Sequence, residues 1–499
     1  MPDARADARL PSEYPVEVAV VGSGAGGAAA ALALARAGRE VLVLEAGPRV
    51  GTPEFSGVEA EMLPRLLRAS TTADRHLDLY AGHCVGGSTV VNDALCWRPP
   101  PEILARWHRE RALSELAPHA LAPFVERAWA ELGARPTGRP HLSRNAFLLE
   151  LGAHRLGLAA GPVPRNVEGC SRLGLCNLGC PTGAKQSALR RLLPRAEAAG
   201  ARIAAGARVT RVRVEGGRVR ELEVHQRGPG EEAPRRVRVR PRAVVLAAGV
   251  LGTAPLLIAS GVEAPGLGRG VQVHTSVQLA ARFREPVHAY YGPTMGFAVT
   301  AFSDVDGGPG PGFVVESCAG HPALAAPALP GLGEEHEARM RALPHLARCL
   351  VLLRDHRTGH FRRDGTLELA PHAGDLARLR AGLAAAARIY LAAGAVEVLL
   401  PVEGLAPIRG ERDLAAFEAR TLDPMAMGSL YAVHLFGGAS LAGSVRLGPC
   451  RPDGTVRGVR GLLVADASGL PGNLGVNPQV TITANALRVA EQAVAEGHA

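Results

Sequence analysis

Two polar side chains interrupt an otherwise apolar stretch near the C-terminus. The run "VADASGLPGNLGVNPQVTI" (464–482) passes from a short apolar strand to Asp466, through a Pro/Gly-rich loop to Asn477 and Pro478, and into an apolar helix. Buried strands rarely finish on an acid, and Asn-Pro is an odd way to enter a helix. Asn477 cannot take a proton near neutral pH, but its amide can hydrogen-bond an oxygen. Pro478 biases Asn477 to extended backbone, which fixes where that amide points. His434, in "YAVHLFGG", stands 43 positions earlier (477 − 434). It titrates near neutral pH and is the natural general base to pair with such an amide.

These residues need a scaffold, and the front of the chain supplies one. "VEVAVVGSGAGGAAAALALARAGREVLVLEAG" (16–47) predicts a strand, a glycine turn, an Ala/Leu helix and a second strand ending in Glu45. Gly22 permits the tight turn, Gly24 lets backbone approach a pyrophosphate, and Gly27 lets the helix pack on the strand; the helix N-terminus faces the phosphate charge. Glu45 follows Gly22 by 23 positions, where a carboxylate accepts from ribose hydroxyls. Strand, glycines, helix, strand and acid in that order predict a dinucleotide site, to which Ser23, Ala46 and Val209 are also assigned. Further blocks fit a flavin. "YAGHCVGGSTVVNDALCW" (80–97) offers Gly86, Gly87, Ser88 and Asn92 as a second loop of bare backbone. "PRAVVLAAGVLGTAPLLIASG" (241–261) offers a buried strand that turns at Gly249, and "GVRGLLVADAS" another, whose Asp466 can meet a ribityl hydroxyl.

On these blocks the chain resembles the glucose-methanol-choline (GMC) oxidoreductases, FAD-dependent alcohol oxidases and dehydrogenases. The matching stretches are 20–47, "VGGSTVVN" (85–92), "PTGAKQS" with "AAG…LLIASG" (181–261), "YAVHLFGG", and "VADASGLP…VNPQVTI". "DASGLPGNLGVNP" looks most like long-chain alcohol oxidases, and "HLFGG" is similar to sterol oxidases. The resemblance implies that the fingerprint and the Gly-Gly-Ser loop hold FAD and that His434 and Asn477 are the catalytic pair, with Asn477 and Pro478 also facing the flavin. Many members follow the histidine with Gly-Thr-x-Arg-Met-Gly, whereas this chain reads "FGGASLAGSVRLG". Some relatives attach FAD covalently through a histidine after the Gly-Gly loop; Val91 stands in the matching place, so dissociable FAD is expected.

Eight cysteines occur, three of them in "GCSRLGLCNLGCPTGAK" as Cys170, Cys176 and Cys180. Thiolates this close suit iron–sulfur or zinc ligation, and the spacing resembles cluster-bearing FAD glucose dehydrogenases. Long-chain alcohol oxidase relatives carry a similar loop with no cluster known to be required. Reduced thiols in a tight loop are the plainer reading, and no metal ligands are assigned.

The rest bounds the answer. A chain of 499 residues with 47% apolar content can bury a sizeable core in two or three domains. The net charge of +9 comes from arginine, since Lys185 is the sole lysine. The arginines at 208–220 and 235–242 alternate with valine and predict a solvated hairpin face, not a nucleic-acid site. The N-terminus lacks the apolar core of a secretory signal. The uncharged stretch 243–262 is interrupted by Gly249, Gly252 and Pro255, so it is read as strand-turn-helix and no transmembrane segment is expected; a cytoplasmic location follows.

The expected fold is α/β: a Rossmann-like FAD domain (1–99, 165–270, 435–499) with a discontinuous α+β substrate domain (100–164, 271–434). The expected activity is oxidation of a hydrophobic alcohol, with oxygen, a quinone or a partner protein as final acceptor. Two alternatives stand beside it. One is another flavin chemistry on the same scaffold, such as ketosteroid dehydrogenation or isomerisation. The other is an electron-transfer flavoprotein working through the cysteine loop.

Overall fold

The computed structural model describes residues 9–228, 230–305 and 310–498; residues 1–8, on which part of the signal-peptide reading rests, lie outside them. Two sheets organise the chain. In the first, the strands run in the order Arg202–Ala204, Val41–Leu44, Glu13–Val21, Arg235–Leu246, Arg218–Gln226, Ala207–Glu215. The first four are parallel neighbours and the last two form an antiparallel hairpin. Gly216 and Gly217 turn that hairpin with φ of +56° and +66°, the left-handed pair that suits the strand twist. Arg208, Arg211, Arg213, Arg218 and Arg220 project to its wet face, as the alternation predicts.

The strand Arg235–Leu246 carries the hairpin along its first half and the parallel strand Leu462–Val464 along its second. Its continuation is the helix Val250–Ala259, so the uncharged stretch is a strand, a turn at Gly249 and a helix. No described helix is long and apolar enough to cross a membrane. The helix Ala25–Arg36 packs between the sheet and the C-terminal helix Gln479–Ala495, and its alanines are almost all fully buried. Small side chains there let backbones come close.

The second sheet has nine strands, mostly antiparallel, with Ser276–Arg282, Leu346–Leu353 and Phe313–Ser317 at its centre. The helices Ala373–Ala393 and Arg144–Arg155 cover it. Two segments cross the division expected from sequence. The hairpin of Leu67–Thr71 and Asp78–Gly82 joins this second sheet, by parallel pairing with Leu430–Ala432. The helix Pro118–Leu132 packs instead on the C-terminal helix and shares the core of the first sheet. Neither partner is near in sequence, so local pattern cannot assign these segments. A small sheet bridges the two halves: Arg269–Val273 pairs with Leu435–Phe436 on one side and Gly359–Phe361 on the other.

Candidate active site

Four strands of the first sheet end at one edge, and each end carries a residue marked in the sequence. Val21 leads to Gly22, Leu44 to Glu45, Leu246 to Gly249, and Val464 to Asp466. The carboxyl edge of a parallel sheet is where such folds bind their ligands. Gly22 has φ +98°, and a Cβ there would lie 2.3 Å from the Ala247 carbonyl oxygen; a Cβ on Gly27 would lie 2.0 Å from the Gly22 oxygen. Those two glycines are fixed by packing. Gly24 differs. As N-cap of Ala25–Arg36 it supplies no side chain to the free N–H groups, and an added Cβ would come only within 4.0 Å of Gly87 Cα. A helix N-terminus left bare beside a second glycine loop is an anion cradle.

Glu45 is nearly buried. Its Oε2 accepts from the Ser23 N–H (2.9 Å) and hydroxyl (2.6 Å), and its Oε1 from the Gly47 N–H (2.9 Å). Ser23 Oγ in turn accepts from the Gly86 N–H at 2.9 Å. The acid, the fingerprint turn and the Gly-Gly loop are thus one hydrogen-bonded unit. Burial raises the Glu45 pKa, against these donors. Oε1 keeps acceptor capacity for a ribose hydroxyl. Ala46 sits half-buried beside it, and the Ala207 N–H donates to the Glu45 carbonyl at 2.7 Å, which brings the strand bearing Val209 alongside.

The second loop is held from both sides. Gly86 takes φ +95°, the Ser88 hydroxyl accepts from the Gly82 N–H at 2.9 Å, and the Asn92 amide donates to Gln479 Oε1 at the start of the C-terminal helix. Lys185 is buried, and its ammonium donates to the carbonyls of Val90, Asn92 (2.9 Å) and Cys176 (2.6 Å). All three of its N–H bonds are used, so the sole lysine clasps the cysteine loop to the Gly-Gly-Ser loop. The sulfurs there meet N–H donors: Cys176 the Arg165 guanidinium at 3.2 Å, Cys170 the Arg172 N–H at 3.4 Å, and Cys180 the Lys185 N–H at 3.4 Å. Their atoms are not a group that lies within 4.8 Å of one another; among the described residues only half-buried Asp453 with exposed Glu496 and His498 is. The cysteine loop thus gives no support to zinc ligation or to an iron–sulfur cluster.

Asp466 departs from its expected role. Its Oδ1 accepts from the Ser468 N–H (2.8 Å) and hydroxyl, and its Oδ2 from the Gly249 N–H (2.8 Å) and the Thr253 hydroxyl (2.6 Å). Four donors fill the four acceptor directions of a carboxylate, so protein groups occupy the place a ribityl hydroxyl was expected to take. Asp466 locks two turns together. Gly249, with φ +73° and no atom within 4 Å of an added Cβ, opens onto free space at the same edge. The residues at this edge fit a flavin dinucleotide: a bare helix N-terminus for its phosphates, a carboxylate with spare acceptor capacity for its ribose, and glycine backbone where its ring would pass.

His434 arrives from the bridging sheet. Pairing of Val273 with Leu435 sets His274 opposite His434, and their Nδ1 atoms are 3.3 Å apart. The Gly475 N–H donates to His274 Nε2 at 2.9 Å. A neutral imidazole carries one N–H. With Nε2 accepting, His274 holds its proton at Nδ1 and donates it to His434 Nδ1. His434 therefore carries its own proton at Nε2. Burial lowers the His434 pKa to about 4. Burial, the neighbouring His434 and Arg354 hold His274 well below its usual value, so both rings are uncharged at neutral pH. Gly475 is two residues from Asn477, which is buried and precedes the N-cap Pro478. The loop between is pinned by Asn473, whose amide donates to the carbonyls of Val273 (3.1 Å) and Asp355 (2.7 Å).

Sequence reasoning missed Lys185 as the clasp, Asn473 as the pin and the buried acid Glu316; it read His274 as structural, without naming His434 as its partner. Glu316 did leave a signal, an acid within the apolar strand "FVVES".

The comparisons with known proteins agree with this edge-on architecture. Solved structures of the same fold include pyridoxine 4-oxidase from Mesorbium loti (TM-score 0.71, 19% identity, 96% of this chain and 99% of that one). Another is a variant formate oxidase of Aspergillus oryzae RIB40 (TM-score 0.72, 14% identity, 98% and 99%). An uncharacterized GMC-type oxidoreductase of Mycobacterium tuberculosis (strain ATCC 25618 / H37Rv), Rv0492c, is 36% identical over 524 residues, covering 99% of this chain and 79% of the relative. The Arabidopsis thaliana long-chain-alcohol oxidase FAO4B is 29% identical over 96% of this chain and 67% of its own length. The GMC oxidoreductase models match residues 22–276 and 351–486, and with them the fingerprint, both glycine loops and the His434–Asn477 region, so the chain belongs to the GMC oxidoreductases, enzymes that work with FAD.

Proposed function

We propose that this oxidoreductase converts the CH–OH group of a hydrophobic alcohol to an aldehyde or ketone. The observation that carries the reading is the hydrogen-bonded chain of His434, His274 and Gly475, two residues before Asn477, beside the carboxyl edge of the first sheet. FAD, when bound, supplies the hydride acceptor. The chain's own part is to hold the alcohol oxygen and favour its alkoxide form, with the hydroxyl proton passing to solvent. His434 was expected from sequence to be the base, but its hydrogen-bond chain presents Nε2 as a donor. An uncharged Nε2–H and the Asn477 amide together stabilise negative charge on oxygen without bringing a formal charge of their own. The two Nδ1 atoms and the Gly475 bond hold His434 in that tautomer.

Long-chain-alcohol oxidases among the relatives support an apolar substrate. Val91 beside the Gly-Gly-Ser loop supports dissociable FAD, and eight unpaired cysteines support action in a reducing compartment. In this reading the first-sheet core serves FAD and the second-sheet core serves the substrate, with 67–82 in the second and 118–132 in the first. The test is a panel of short-chain, long-chain, aromatic and sterol alcohols, scored by anaerobic bleaching of the flavin band. Bleaching by one class supports the reading, and none by any class overturns it. Acid precipitation should leave the flavin in the supernatant as intact FAD.

A further inference from the structure

Tyr431 stands three residues before His434, and nothing so far uses its hydroxyl. Ser276 pairs with Tyr431, while the His274 N–H donates to the His434 carbonyl at 3.1 Å. Two steps separate His274 from Ser276 (276 − 274) and three separate Tyr431 from His434 (434 − 431), so the second of these strands holds one extra residue. That residue is Val433, 44% exposed, and it acts as a β-bulge, which re-aims the side chains beyond it. With the bulge there, Tyr431 and His434 point to the same face as His274, Ser276 and Gln278, which alternate along their own strand. Glu316 rises from that face too, since Leu350 pairs with both Gln278 and Glu316, and its buried carboxyl lies against the Asn477 side chain. Gln278, Tyr431 and His434 keep partial exposure, whereas Val277, Leu279 and Ala432, on the other face, have none. The face is open where its polar groups stand.

The direction of hydrogen bonding along this face is fixed at its buried end. Arg348 is fully buried, and its guanidinium donates to the Ala319 carbonyl (3.1 Å) and to Gln278 Oε1. Arginine can only donate. Gln278 must therefore turn its oxygen to Arg348 and its Nε2 to Tyr431, whose hydroxyl oxygen accepts at 2.9 Å. The phenol's own proton then points onward, and among the described residues no hydrogen bond takes it. A phenol in a place poor in water needs an acceptor for that proton. We infer that Tyr431 is a specificity-determining residue: its O–H, aimed by Arg348 and Gln278, donates to a second oxygen of the substrate. Neighbouring same-face positions on a strand lie about 7 Å apart, so this oxygen is separate from the one held by His434. The substrate class narrows to otherwise apolar alcohols with an ether, hydroxyl or carbonyl oxygen further along the chain.

The inference rests on the proposed alcohol oxidation, so its test does not require turnover. Tertiary alcohols have no hydrogen on the carbinol carbon and cannot reduce a flavin, so their binding to the FAD-loaded protein is read from the shift of the flavin band. A straight-chain dimethyl carbinol is compared with a series in which one methylene, moved stepwise along the chain, is replaced by an ether oxygen. In the parent, one position of the oxygen should tighten binding over the plain carbinol by roughly ten-fold, the effect of one well-made hydrogen bond. In Tyr431→Phe that advantage should vanish. Gln278→Glu tests direction: a carboxylate accepts from both Arg348 and Tyr431, so the phenol proton turns inward and its oxygen faces the ligand. The same ether should then bind more weakly than the plain carbinol, an inversion that loss of packing would not give. An ether that gains nothing in the parent at any position overturns the inference, as does a gain that persists in Tyr431→Phe or Gln278→Glu with full FAD loading. Failure of every alcohol in the oxidation panel would instead strike the proposed function and leave these affinities to decide on Tyr431.

Discussion

The two sheets carry their chemistry in opposite ways. The first places its residues in the loops just beyond parallel strand ends: Gly22, Glu45, Gly249 and Asp466 each stand within three residues of one. The second and the bridging sheet place theirs within or at the ends of antiparallel strands, where His274, Glu316 and His434 meet partners more than a hundred residues away. In the first region the glycine turn, helix and acid are built from one continuous stretch, so the site is largely complete wherever that stretch folds. In the second no single stretch contains a site; sheet register brings the groups together. The cofactor side should therefore respond to substitution locally, and the substrate side through its network.

The sharpest test of that contrast is His434→Ala. It should retain FAD, because Glu45 and the Gly86–Gly87 loop are untouched, yet flavin reduction by alcohol should slow by roughly 100- to 1,000-fold, the effect of losing one preorganised donor to an oxyanion. Raising the pH should recover part of the rate as the alcohol ionises unaided. Unchanged reduction measured by anaerobic stopped-flow would break the assignment at its centre.

On the cofactor side, Glu45→Gln removes an ionised acceptor that also holds Ser23 and Gly47. A charge-assisted hydrogen bond contributes about 1.5–3 kcal/mol, so FAD should bind roughly ten-fold or more weakly. FAD retention through gel filtration and dilution reads this directly, and no change in affinity would count against the carboxylate's role. The rate of flavin reduction in fully loaded protein should move little.

A smaller effect separates the regions through pH. The folded-state pKa of Glu316 is raised, so the folded protein holds this proton more firmly than the unfolded chain. Its contribution is complete below the usual glutamate value of 4.5 and is lost as the pH rises through about 8. Relative to the parent, Glu316→Gln should gain stability steadily across that window in urea titrations. A parallel pH dependence for the two proteins would show that Glu316 is not buried as an acid.

The smallest effect concerns the cysteine loop. Burial raises the Cys180 thiol, but the Thr182 hydroxyl, the Lys185 N–H and the Lys185 charge outweigh it and leave it lowered. Cys96 is pushed up to about 12 by burial. Iodoacetamide should therefore label Cys180 well before Cys96, as peptide mapping would show. Equal labelling would mean that the Lys185 clasp opens in solution.

The sequence by itself determined the first sheet's cofactor edge. Strand alternation, left-handed glycines and an acid at fixed spacing are local properties, and they specify Gly22, Gly24, Gly27, Glu45, the Gly86–Gly87–Ser88 loop and the strand-turn-helix at Gly249. It also marked His434 and Asn477, through a histidine before two glycines and an Asn-Pro step. It could not say what those residues touch. Whether His434 presents a lone pair or an N–H depends on which nitrogen of His274 receives the Gly475 bond. Whether Asp466 faces a ligand depends on how many protein donors reach it first. Whether Glu316 is charged depends on what surrounds it when the second sheet closes. Hydrogen-bond direction and desolvation are set by atoms brought together from distant parts of the chain, and only the tertiary structure decides them.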